Sequence, residues 1–93
     1  MTTSDSTIDA TRVALLSEIY GAAQDLRKAL RRARNAADRS LDAMDRGRTP
    51  ALSANLYTDL VRAQGILDGL LMLARFVNVN EDALERALRV ETS

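Results

Sequence analysis

The chain has 93 residues, thirteen of them basic and thirteen acidic, and contains neither histidine nor cysteine. A body this small buries only about 60 to 65% of the surface its unfolded chain exposes, so it is marginal alone and gains from a second subunit. Without cysteine there is no disulfide framework or thiolate metal site, without histidine the commonest metal ligand is missing, and zero net charge disfavours a broadly basic nucleic-acid binder.

Residues 1–7 read as a flexible polar lead-in, with neither the charged start nor the apolar segment of a signal peptide. A single helical domain is expected over residues 8–93. Ser6 and Asp9 have capping-box spacing, and from there residues 8–46 contain no proline and only Gly21. Leu16, Ile19, Ala23, Leu26, Leu30, Ala33, Ala37 and Met44 recur at heptad spacing, missing one beat at Ser40, which predicts a first helix over 8–46 about 58 Å long. Leu15, Ala22, Ala29, Ala36 and Ala43 run beside that seam, small enough on the whole to let another backbone come close.

Gly47 suits a left-handed helix end, and Thr49 followed by Pro50 suits a cap and first-turn proline. The short linker makes the second helix, expected over 50–76, antiparallel to the first. That second helix is apolar on two sides. One stripe, Leu56, Leu60, Ala63, Leu67, Leu70, Ala74 and Val77, is the seam toward helix one. It is widened by Ile66 and Leu73 on one flank and by Tyr57 and Leu71 on the other. Val61, Gly65, Gly69, Met72 and Phe76 form a second stripe on the opposite side, so this helix needs two partners.

Asn80 as a cap, with Glu81 and Asp82 in a first turn whose dipole favours negative charge, predicts a short third helix over 80–90. It has two places to dock: over Met72 and Phe76, or over the start of helix one. The register of the hairpin leaves Ile8, Val13, Leu15 and Leu16 without a partner from helix two.

Charge is segregated although its sum is zero. Residues 27–48 carry eight bases and three acids, whereas residues 1–26 carry one base and four acids. Arg27, Lys28, Arg31, Arg32 and Arg34 form a block whose like charges disfavour an isolated helix. It is either a face for an anionic partner or a solvated surface, which Glu81, Asp82 and Glu85 of helix three or of another subunit could neutralise. None of the three aromatic residues lies in the block, so base stacking has little support. Gly65 and Gly69 each cost a helix about 1 kcal/mol relative to alanine, which points to a closely approaching neighbour. Asp68, amid apolar residues, reads as a salt-bridge or edge carboxylate, and Arg12 reads as surface.

The run from Leu73 to Leu84 resembles the helix, turn and acidic helix start near the end of MazG-like all-helical nucleotide pyrophosphohydrolases. That family's magnesium-binding glutamate pairs have no counterpart here, Asp59 and Asp68 being the only acids of helix two. The long, medium, short helix order is similar to that of small helical chorismate mutases, whose late glutamine is missing from helix three.

The expected fold is all-α: a long antiparallel helical hairpin plus a short C-terminal third helix, completed as an oligomeric bundle. The expected function is that of a small non-enzymatic, cytoplasmic interaction protein (adaptor, regulator or assembly component), without cofactor or metal. Leu15, Leu16, Ile19, Val61, Gly65, Gly69, Met72 and Phe76 are its expected docking residues; Arg27, Lys28, Arg31, Arg32 and Arg34 select an anionic partner. The partner expected first is a second copy, as a dimer, then another protein with an acidic or apolar surface. A nucleic-acid-binding regulator is the alternative, an enzyme on a phosphorylated metabolite a remote one, and no membrane is involved.

Overall fold

The computed structural model of the chain describes residues 3–50 and 54–89, and over them it is all-helical. α1 (Thr3–Asp45), α2 (Ala54–Phe76) and α3 (Glu81–Arg89) follow in order, and α1 packs against both of the others. α1 is already helical at Thr3, so the expected lead-in is shorter than residues 1–7 and Ser6 lies inside the helix rather than at its cap. Neither proline nor glycine interrupts that segment, and the helix simply propagates through it. Thr49 and Pro50 are non-helical, and the first turn expected from Pro50 onward runs into residues 51–53, which lie outside the described residues.

Both helix ends that face a turn close in the same way. Gly47, at φ 75°, donates to the Met44 carbonyl at 2.9 Å, and Arg48 donates to the Ala43 carbonyl at 2.7 Å. Asn78, at φ 60°, donates to the Arg75 carbonyl at 3.1 Å, and Val79 donates to the Ala74 carbonyl at 2.9 Å. These are Schellman closures, in which a left-handed residue lets two backbone N–H groups satisfy carbonyls of the last turn. At the second, the accompanying apolar residue is Val79, buried beside Ala74 in the core. One residue further, the Asn80 side-chain oxygen accepts from the Asp82 N–H at 2.8 Å, the cap expected for α3.

The seam of α2 is as expected: Leu56, Leu60, Ala63, Leu67, Leu70, Ala74 and Val77 are all buried or half-buried. The seam of α1 is rotated by one residue. It runs through Leu15, Ile19, Ala22, Leu26, Ala29, Ala33, Ala36, Ser40 and Ala43, an unbroken four-three alternation of buried and half-buried positions in which Ser40 is a beat and not a gap. Alanines at the contact allow the backbones to approach and the larger residues of α2 to reach between them. Leu30 and Met44, expected on the seam, are consequently exposed.

Two hydrogen bonds establish the helix order. Arg12 Nε donates to the Val77 carbonyl at 2.9 Å, and Arg27 donates to the Leu88 carbonyl. The start of α1 thus lies beside the end of α2, and α3 runs in the same sense as α1 along the flank that carries Arg27. The core gathers where three helices meet: Ile19, Ala22, Ala23, Leu67, Ala74, Val79 and Leu84, with Leu16, Leu26, Leu70, Leu71, Val77, Ala87 and Leu88 packed around them. Toward the turn, among the described residues, α1 and α2 alone continue. The molecule is a rod of 69 × 23 × 16 Å with a radius of gyration of 18.1 Å, against about 12 Å for a compact domain of this length.

Candidate interaction surface

α3 takes the second of its two possible berths, and this redistributes the expected docking residues. Leu15 and Ile19 are buried and Leu16 is packed against the core. They are therefore structural and not a docking surface: α3 and the end of α2 supply the partner that the hairpin register alone withheld.

α2 keeps its second face uncovered. Met72 is 73% and Phe76 83% exposed, Val61 is half-exposed, and a Cβ added at Gly65 or Gly69 would meet nothing within 4 Å. Among the described residues, no neighbour explains either glycine. Ile66 and Leu73, expected to widen the inner seam, are also exposed: Leu73 lies on the edge of this outer face, which thus carries Val61, Met72, Leu73 and Phe76, whereas Ile66 lines the cleft between α1 and α2. Their position one residue before Leu67 and Ala74, off the centre of the seam, was the sequence signal of that exposure. Asp68, on the opposite edge, is exposed. A second exposed apolar line, Leu30, Leu41 and Met44, marks α1 beyond the end of α3.

The basic block is divided among different tasks. Arg27 is half-buried and clips the last turn of α3 through the Leu88 carbonyl. Arg31 is also engaged within the molecule. Arg34 is exposed. Lys28 and Arg32 line an open cleft of about 230 Å³ between α1 and α2, on the flank away from α3, together with Asp25, Asp59 and Arg62. A neighbouring cleft of about 390 Å³ shares Arg32 and Asp59 and adds Asn35, Arg39 and Asn55. Acids are interleaved with the bases along this groove. Within the chain, Glu81 and Glu85 of α3 pair outside the block: Glu81 with Arg75 at 3.3 Å and Glu85 with Arg89 at 3.5 Å.

Among the described residues, no group of three or more acidic side chains is placed to hold a metal ion, and no helix is long and apolar enough to cross a membrane. Comparison with protein-family models, with curated proteins and with solved structures finds no match to this chain. The resemblances in the sequence therefore lead to no family assignment, and function has to be argued from the surface itself.

Proposed function

We propose that this chain is a small non-enzymatic interaction protein that works by docking the outer face of α2, and that it self-associates in doing so. The observation that carries this reading is the exposure of Met72 and Phe76 on the same helix face as two glycines that none of the described residues approaches. Large apolar side chains held in water gain roughly 1.5 to 3 kcal/mol each when fully buried, and glycines inside a helix cost stability unless something packs close against them. Both features are unfavourable in an isolated copy and favourable against a partner.

The test is sedimentation over a wide concentration range, with the Gly69→Glu, Met72→Glu double variant beside the parent chain. The parent is expected to be dimeric or larger and the variant monomeric with unchanged helical circular dichroism, because neither position touches the core. A parent that remains monomeric at every concentration, or a variant that assembles as the parent does, removes the outer face from consideration.

A further inference from the structure

We infer that the helix covering the outer face of α2 is α2 of a second copy, lying antiparallel across a two-fold axis near Asp68 and Gly69; this rests on the self-association proposed above and adds the orientation. The first argument is the order of side-chain sizes along the face. Gly65 and Gly69 precede Met72 and Phe76 along it. A parallel copy in register would set Met72 against Met72 and Phe76 against Phe76, leaving the glycines facing each other across a void. An antiparallel copy sets Met72 over a glycine. With the axis between Asp68 and Gly69, Met72 lies over Gly65 of the other copy and Phe76 over Val61. Moving the axis two residues toward Phe76 sets Met72 over Gly69 and Phe76 over Gly65. Either register is self-complementary, as a two-fold interface must be.

The second argument is charge. Residues 27–62, the turn half of the rod, carry nine bases and four acids, whereas residues 9–26 and 63–89, the three-helix half, carry four bases and seven acids. Antiparallel order places the basic half of each copy beside the acidic half of the other. Parallel order places like halves together. Screening limits this field to about 8 Å at physiological salt, so it acts along the flanks where the copies touch. The third argument is area. Covering Val61, Met72, Leu73 and Phe76 on both copies removes on the order of 1,000 Å² from water, which is near the lower bound for a specific interface.

Because the chain has no cysteine, single spin labels placed at cysteines substituted for Asn55 or Asp68 report the orientation directly. The full-length Asn55→Cys and Asp68→Cys variants, labelled and measured by pulsed dipolar spectroscopy at dimer-forming concentration, are expected to differ. The Asn55 labels should stand about 40 to 47 Å apart at 1.5 Å per residue, and the Asp68 labels within about 20 Å. Asn55 labels within about 20 Å in a stable dimer would mean parallel order and overturn the orientation while leaving self-association standing. Asp68 labels far apart would mean that another face is used. A chain that sediments as a monomer would overturn the self-association itself, and the orientation with it.

Discussion

Arg12 and Arg27 do the same job at two places on α1: each guanidinium reaches a carbonyl at the C-terminal end of another helix, Val77 after α2 and Leu88 in α3. Cations are favoured there because the last carbonyls of a helix lack intrahelical donors and carry the negative end of its dipole. Arg12, which reads in the sequence as a surface residue, is thus a clip, and Arg27 belongs to the tertiary structure rather than to an anion-binding block. Replacing either with methionine keeps the apolar stem and removes the donor. Each change is expected to lower stability by about 1.5 to 3 kcal/mol, read as a shift of the urea midpoint at constant slope; a midpoint unmoved by both would mean the clips contribute nothing. Asn78 offers a change in the other direction. Its left-handed backbone is one that glycine adopts without strain, so Asn78→Gly is expected to hold or raise stability, and Asn78→Val to lower it by 1 kcal/mol or more on the order of a strained φ.

At the scale of elements, α3 decides where the molecule is stable. It is nine residues long, too short to be helical alone, and forms because Leu84 enters the core while Ala87 and Leu88 pack around it. Leu84→Ala should therefore cost about 2 to 5 kcal/mol and release α3 together with the Ile19 and Ala23 region beneath it. Leu60→Ala, in the two-helix half, should cost less because its site is only half-buried. Hydrogen exchange resolves the two: Leu84→Ala should speed exchange around residues 15–27 and 81–89, and Leu60→Ala only near the turn. Equal effects on both halves would show that the rod unfolds as one unit. The seam of α1 was half legible in the sequence. Ile19, Leu26 and Ala33 lie on it under either reading, and Ala22 and Ala23 are both buried where three helices meet, but the choice between Ala29 and Ala36 on one side and Leu30 and Ala37 on the other depends on how closely α2 approaches, and both lines have heptad spacing.

For the whole molecule, zero net charge conceals a rod with a basic turn half and an acidic three-helix half. That arrangement bears on the alternative of nucleic-acid binding. A polyanion needs several uncommitted cations on one surface, whereas here Arg27 holds α3, Arg31 is engaged, and the groove that collects Lys28, Arg32 and Arg62 also contains Asp25 and Asp59. The expected result is no measurable binding of duplex or single-stranded DNA at physiological salt. Binding that falls steeply with salt and disappears in the Arg31→Glu, Arg32→Glu variant would reinstate the nucleic-acid reading, and the docking of α2 would then serve to bring two basic halves together.

The sequence by itself determined the helices, the turns and the hairpin: heptad spacing without proline made α1 continuous, Gly47 and Asn80 marked an end and a start, and a short linker left the first two helices no choice but to run antiparallel. It also showed that α2 had two apolar faces, and that one further helix follows it within the 93 residues. Only the tertiary structure decided which face was covered. α3 lies over the start of α1, making Leu15, Leu16 and Ile19 core and leaving Met72 and Phe76 in water, because Asn78 and Val79 turn the chain toward α1 and Arg27 holds the far end of α3 there. A helix period records that a face is apolar; which of two apolar surfaces a short helix reaches is settled by the direction of the turn before it and by contacts distant in the chain.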